Sequence, residues 1–496
     1  MLALKKLLLL GGVCVLGVAG SLLVSSCSRP VAQGEAPDLI ILQTGRLRGN
    51  VVPEGVAGSG LQNYPYIAGY VKQVREEARR TKTPVLLVDL GDSLTGSFSS
   101  AVTQGANVAT FFNELKYDAV MLGNLDAELT PETLKQLKMP VLCPFETVSG
   151  APAIPGTQFS TTIQKPGLEV QLLTNFYGDT MLEEFPARFP SVFGAAEQVR
   201  PFRGYASLVQ KLPAPNEKVV RLFGWMKFEN DGAAAPPFLA ELQKLAVNFV
   251  LAHRVYSREK MDAWVSTSTS AWSPPVSLNI LRNNKGFALA RADLKRVGGK
   301  WILQKQQILP MVSNTAAADD QVGRVLKSYA SRIKAADAHV ARAASAVGPE
   351  GVLDRYLAAL ASVRGTTTAV YSLESVRAGW PKGEIRTSDI FACLPWATGL
   401  VQFEITPEQC GELGKDSFFT LYSAPTLQAT DMRTITTSDY LGRLIAKRLD
   451  LDRASFRSVV KTPEYVFFAD YLRRMADPSI NRHQPAGWKL HSAASP

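Results

Sequence analysis

The chain opens with an uncharged apolar stretch over residues 7–24, and after it the pattern breaks into short runs. Leu39-Ile40-Ile41-Leu42 is continuous and predicts a buried strand, while Ile67, Tyr70, Val71 and Val74 recur at i, i+3, i+4 and i+7 and predict an amphipathic helix. The pair repeats twice. Val85-Leu86-Leu87-Val88 precedes a helical pattern near 108–115, and Ala119-Val120-Met121-Leu122 precedes one opening at Thr130-Pro131-Glu132, with Thr130 placed to cap it and Pro131 at its first position. Alternation of this kind predicts a largely parallel sheet covered by helices.

The middle is less regular, with Pro-rich breaks near 212–216 and 233–237 that read as surface loops. Leu239, Leu242, Leu245 and Ala246 then predict a helix leading into the strand-like Asn248-Phe249-Val250-Leu251. Residues 286–294 and 301–308 predict two strands joined at Gly298-Gly299. From Asp319 to about Ala346, the spacing of Val322, Val325, Leu326, Tyr329 and Ile333 predicts one long helix. The remainder mixes helical stretches, such as 353–360, with strand-like ones, such as 400–405, and is long enough to form a domain of its own.

Lys5 and Lys6 before the apolar stretch give the layout of a secretion signal. The stretch ends in Leu23-Val24-Ser25-Ser26-Cys27, which resembles a bacterial lipobox and implies a mature chain beginning at a lipidated Cys27. A retained transmembrane helix is the competing reading, since 18 apolar residues nearly span a bilayer. An acylated Cys27 would hold the protein to membrane lipid without a spanning helix. Ser28 follows the cysteine where Asp is the inner-membrane alternative, which favours the outer membrane. Residues 28–37 suit a tether.

Removing residues 1–26 lowers the formal charge from +10 to +8. A basic balance favours anionic surfaces or ligands. The basic residues are interleaved with acids, as in Lys72-Gln73-Val74-Arg75-Glu76-Glu77, so the charge reads as a solvated surface and no nucleic-acid partner is expected. Apart from Cys14 and Cys27, the cysteines are Cys143, Cys393 and Cys410. Their spacing excludes a zinc ribbon and covalent haem. In an oxidising envelope a Cys393–Cys410 bridge is one expectation, with Cys143 left as a buried thiol.

In an open sheet, ligands gather at the loops leaving the carboxyl ends of parallel strands. Those loops are Gln43-Thr44-Gly45-Arg46-Leu47-Arg48-Gly49-Asn50, Asp89-Leu90-Gly91-Asp92-Ser93, Leu122-Gly123-Asn124-Leu125-Asp126 and Ala252-His253. In order, spacing and flanks they resemble the 5'-nucleotidase branch of the calcineurin-like metallophosphoesterases, whose loops read Thr-Asn-Asp-x-His-Gly, Gly-Asp-Ser, Leu-Gly-Asn-His-Glu, a Ser-His and a Gly-His-x-His. Further on, Gly383-Glu384-Ile385-Arg386, Leu394-Pro395-Trp396 and Ser438-Asp439-Tyr440-Leu441 resemble segments of the family's second domain. The resemblance covers roughly 38–450.

It implies a four-layer αββα metallophosphoesterase domain and a C-terminal α/β 5'-nucleotidase-type domain. The corresponding division is a leader at 1–26, a tether at 27–37, the first domain at 38–312, a linker helix at 313–346 and the second domain at 347–496. In the family, two metal ions about 3.5–4 Å apart clamp the attacking and leaving oxygens. Asp92 matches the bridging carboxylate, Asn124 the asparagine ligand and His253 the Ser-His ligand. Arg46 and Arg48 replace the first-loop Asp and His, Leu125 replaces the third-loop His, and residues 266–270 replace Gly-His-x-His. Arginine cannot ligate a cation. Of the substrate-framing Asn-Gly-Gly-x-x-Arg only Arg377 remains, and Gly442-Arg443-Leu444 stands where the family's base-stacking aromatic is expected.

Each retained residue also has a structural reading. Asp92 and Asn124 suit Gly-containing turns for their own backbone hydrogen bonds. His253 suits a strand end, Arg377 can pair with Glu374, and Arg46 or Arg48 can face solvent or neutralise Asp92 or Asp126. The expectation is an envelope lipoprotein of this fold, catalytically degenerate, binding a phosphate-bearing anion through Arg46, Arg48 and Arg377 or an envelope protein partner. The alternatives are a hydrolase using one divalent metal ion (Zn, Mn or Mg) held by Asp92, Asn124 and His253, and a structural envelope subunit.

Overall fold

The computed structural model describes residues 35–52, 64–123, 126, 131–177, 199–202, 204–227, 244–252, 278–279, 288–310, 317–424, 428, 430–476 and 489–491. The predicted lipobox and leader lie outside them, as do Asn124, Leu125, Thr130, His253 and residues 266–270.

Four strands, β1 (Leu39–Thr44), β2 (Val85–Asp89), β3 (Ala119–Met121) and β4 (Val141–Leu142), run parallel and side by side. The hairpin Ala288–Val297 and Lys300–Pro310 extends this sheet by pairing antiparallel to β1. A second sheet runs in the order Leu278–Asn279, Phe249–Ala252, Val219–Lys227, Leu168–Tyr177, Ser160–Lys165. The two sheets pack face to face.

Alternation along β1 shows why the strand is buried throughout. Leu39 and Ile41 point into the core between the sheets with Val170, Leu172, Val220 and Leu222. Ile40 and Leu42 point the other way, into the core formed with helix α1 (Tyr64–Thr81) and, beyond the short α2 (Phe98–Thr103), helix α3 (Ala106–Glu114). A strand covered on both faces reads as a continuous apolar run. The outer face of the second sheet is covered by Phe202, Tyr205, Leu245 and Val247 against Leu173 and Phe223, which completes four layers. Arg221, 1 % exposed, is sunk at that side and donates to Gln171 Oε1 and the Leu245 and Pro213 carbonyls.

The long helix expected between the domains is broken. Asp320–Leu326 is helical and is capped by Asp319, a 3-10 turn covers Lys327–Tyr329, Ala330–Ala336 is helical again, and His339–Ala343 is a strand paired with Gly383–Arg386. Asp337 makes the break. It is buried, its carboxylate accepts from Ser388 N at 2.9 Å, and its carbonyl accepts from Arg386 Nη1 at 3.1 Å.

The C-terminal sheet runs Arg457–Val460, Leu400–Ile405, Arg433–Ser438, Thr368–Tyr371, Thr420–Ser423, Lys489–His491. Among its described residues only Thr368–Tyr371 and Arg433–Ser438 pair in parallel. Its core includes helices Pro349–Ala361, Asp439–Leu449 and Glu464–Ala476. Val52 and Phe98 meet Phe391 and Ile333 in a small apolar cluster that joins the two domains. The expected Cys393–Cys410 bridge is not formed: both thiols are free, on separate helices, as is the fully buried Cys143, whose thiol burial pushes up to about 11. Among the described residues no helix is long and apolar enough to cross a membrane.

Candidate functional site

The loops leaving β1, β2 and β3 are laid against one another by their backbones. Arg46 N donates to Gly91 O at 2.8 Å, Arg48 N to Asp92 O at 3.0 Å and Gly49 N to Ser93 O at 2.8 Å. Leu47 N adds a bond to Ser93 Oγ at 3.1 Å, and its side chain is buried in the helix-side core. Arg46 and Arg48 flank it, half-buried and exposed respectively. Both take left-handed backbone conformations, with φ of 54° and 50°, and so does Asp92 at 54°. Outside glycine that region is uncommon, with Asn, Asp and His enriched in it. The first loop thus holds two arginines in a strained backbone conformation, at the positions where the resemblance expects Asp and His.

Asp92 is 4 % exposed and packs directly on Gly123. Gly91 is equally constrained, at φ 95°, with room for no Cβ against Gly123 N. Loops two and three thus meet at backbone contact.

Two further carboxyls lie within this frame, and the motifs did not mark them as functional. Asp89, fully buried at the end of β2, accepts from Thr44 Oγ1 at 2.7 Å, Gly91 N at 2.8 Å and Ser93 Oγ at 2.9 Å. Burial pushes its pKa up to about 7, against the pull of those donors. Asp126, also fully buried, accepts from Gly123 N at 2.9 Å and Leu94 N at 2.8 Å, which clips loop three to loop two. Burial and the neighbouring Asp92 charge push its pKa up to about 8. Both carboxyls commit their oxygens to backbone and hydroxyl donors that tie the three loops together.

Asp92, Arg46 and Arg48 are thus brought together, whereas Asn124 and His253 fall outside the described residues. Among the described residues no three His, Cys, Asp or Glu side chains converge to hold a metal ion. The donor set on the first loop does not fit the metal pair that the resemblance implies, because two guanidiniums occupy positions where a carboxylate and an imidazole are needed. Arg377 lies in the other domain. Its exposed guanidinium stacks 4.9 Å from the Trp396 ring, while Trp396 Nε1 donates to Ser375 O at 2.9 Å. Its charge also bears on Tyr371, and the suggested pair with Glu374 is not formed among the described residues.

A structure of a Staphylococcus aureus protein assigned as a 5'-nucleotidase superposes with a TM-score of 0.64 at 13 % identity, over 90 % of this chain and 98 % of that one. The 5'-nucleotidase precursor of Thermus thermophilus gives 0.59 at 15 % identity, over 88 % and 96 %. The chain has the two-domain fold of the 5'-nucleotidases. Human 5'-nucleotidase is 40 % identical over 72 residues, which is 14 % of this chain and 12 % of that protein. The aligned segments span less than a third of each curated 5'-nucleotidase matched, human, bovine or rat. No family model matches the chain. Relationship to the 5'-nucleotidases is thus carried by the fold and by short stretches of sequence.

Proposed function

We propose that this chain is a cell-envelope lipoprotein that uses the nucleotidase fold to bind an anion and does not run two-metal phosphoester hydrolysis. The observation that carries the reading is the first loop. Arg46 and Arg48 stand on a loop bonded backbone to backbone with Gly91, Asp92 and Ser93, so two arginines share the loop on which the family carries its first metal ligands. Arginine's planar fork of donors matches phosphate or carboxylate and stays charged at ordinary pH. The ligand class is a small phosphate-bearing or carboxylate anion. The S. aureus protein was solved with alpha-ketoglutarate, a dicarboxylate, which joins phosphate and AMP as a probe.

The test is thermal unfolding with each probe. A rise in Tm that is lost in the Arg46→Ala/Arg48→Ala double variant supports the anion site, and an equal rise in that variant overturns it. In parallel, phosphomonoesterase turnover is measured with added manganese, zinc or cobalt. Turnover near 10 per second, about the median for working enzymes, would reject the non-hydrolytic reading. Retained metal with turnover that depends on Asp92, Asn124 and His253 would establish the one-metal hydrolase instead. The membrane part of the proposal rests on the Leu23-Val24-Ser25-Ser26-Cys27 sequence. Mass spectrometry of native protein is expected to find an acylated Cys27 peptide, and an intact 7–24 segment would refute it.

A further inference from the structure

The helix Glu464–Ala476 begins with two residues that serve different domains. Glu464, 1 % exposed, is turned into the C-terminal core. One carboxylate oxygen accepts from Tyr356 OH at 3.0 Å and Tyr371 OH at 2.7 Å, and the other from Thr398 Oγ1 at 2.6 Å. Its backbone N donates to Thr398 O at 3.1 Å. The carboxyl thus ties together the helix Pro349–Ala361, the strand Thr368–Tyr371, the loop at Thr398 and its own helix. All three side-chain donors are neutral hydroxyls. The charged groups facing this hub are Asp439, on the first turn of Asp439–Leu449 and itself paired with Arg443, and Arg377, which acts on Tyr371. Burial, with Asp439 adding to it, pushes the Glu464 pKa up to about 7, against the pull of the hydroxyls.

The next residue, Tyr465, packs toward the domain boundary. Its ring stands edge-on to Phe391 with centroids 5.1 Å apart, and Phe391 is 6.0 Å from Phe98 of α2. These rings belong to the apolar cluster that joins the domains. The cap of α2 is Ser97, whose Oγ donates to Gly49 O at 2.6 Å, on the loop that carries Arg46 and Arg48. A continuous set of contacts therefore runs from Glu464 through Tyr465, Phe391 and Phe98 to the first loop.

A charge on Glu464 would be buried with no cation donating to it among the described residues, beside a second carboxylate. Such a charge is relieved by reaching water. The nearest way out is to lift the first turn of its helix, and Tyr465 travels with that turn. We propose that the Glu464 hub is a proton-operated latch: with the carboxyl neutral, the helix is seated and Tyr465 holds the Phe391–Phe98 stack; with it ionised, the first turn lifts and the contact of the C-terminal domain with α2 and the first loop loosens.

The sign follows from linkage. The seated state binds the proton more tightly than the lifted state, whose carboxyl returns toward the ordinary 4.5. Seating is therefore firmest below about 4.5, weakens by roughly tenfold in the opening equilibrium per pH unit as pH rises toward about 7, and levels off above. The experiment is hydrogen exchange of the mature full-length chain from pH 4.5 to 8, with rates corrected for intrinsic exchange. Peptides covering 464–468, 389–393 and 97–101 report the hub, the middle of the stack and α2. Protection is expected to fall in all three, and Glu464→Gln is expected to flatten that fall.

Asp89 and Asp126 titrate near α2 in the same range, so the comparison with Glu464→Gln decides. An unchanged slope at 97–101 in that variant, or a slope confined to 464–468 in the wild type, overturns the latch. Should Glu464→Gln fail to fold, Tyr465→Ala leaves the hub and removes the stack. It is then expected to keep the slope at 464–468 and to reduce the slope at 97–101, and an unreduced slope at 97–101 overturns the coupling.

Discussion

Gly123 and Asp92 are in backbone contact: a Cβ placed on Gly123 would stand 2.5 Å from the Asp92 nitrogen and nearer still to its carboxylate. Neither group can withdraw. The Asp92 backbone is held by the bond from Arg48 N, and Gly123 by its bond to Asp126. Gly123→Ala is therefore expected to cost about 1–3 kcal/mol in urea unfolding, the range for overpacking a closed site. Loss of under half a kcal/mol would show that the two loops separate easily.

Asp89 makes stability depend on pH. Its pKa is raised from 3.8 to about 7 in the folded chain, so the native state holds the proton over that window while the unfolded chain has lost it. Its contribution is thus fullest below about 3.8 and is lost as pH rises to about 7. Asp89→Asn keeps an oxygen for Gly91 N and cannot ionise. The variant is expected to flatten the fall in unfolding free energy between pH 4 and 7 by up to about 1.4 kcal/mol per unit. A wild-type slope retained in the variant would refute this.

The first strand and helix could be read directly from the sequence because their signals are local. Leu39 to Leu42 are all buried, and Ile67, Tyr70, Val71 and Val74 form the buried stripe of α1. The break after Ala336 was not legible. Val322, Leu326 and Ile333 do line a buried face, yet what ends the helix is the bonding of Asp337 to Ser388 and Arg386, some fifty residues away. The site divides in the same way. The loop positions of Arg46, Arg48 and Asp92 followed from strand ends and resemblance. The clamps Asp89 and Asp126 depend on burial created only when three loops pack together, which no spacing encodes.

Arg221 tests how the second sheet holds its outer loops. Its guanidinium is buried and meets no carboxylate among the described residues, bonding Gln171 Oε1 at 2.8 Å, Leu245 O at 2.5 Å and Pro213 O at 2.9 Å. Truncation would open a cavity and strand acceptors that water reaches poorly. Arg221→Ala is expected to destabilise by about 3–5 kcal/mol, the scale of losing a large buried side chain. Arg221→Met, which fills the space but leaves the acceptors unbonded, should lose less. Equal losses in the two variants would assign the effect to hydrogen bonding alone.

Arg48 combines an exposed side chain with a left-handed backbone at φ 50°, so its strain and its charge can be separated. A residue with a Cβ pays roughly 1–2 kcal/mol there, and Asn is among the few that adopt the conformation readily. Arg48→Asn is accordingly expected to raise unfolding stability by about 0.5–1 kcal/mol while weakening the Tm response to phosphate. If the strain is there but the anion site is not, stability rises and the phosphate response stays as in the wild type. If the side chain serves the anion, the two measurements move in opposite directions in one variant. A protein that tolerates arginine in a strained position, and loses ligand response when the strain is removed, trades stability for binding at that residue. A fall in stability in Arg48→Asn would refute the strain.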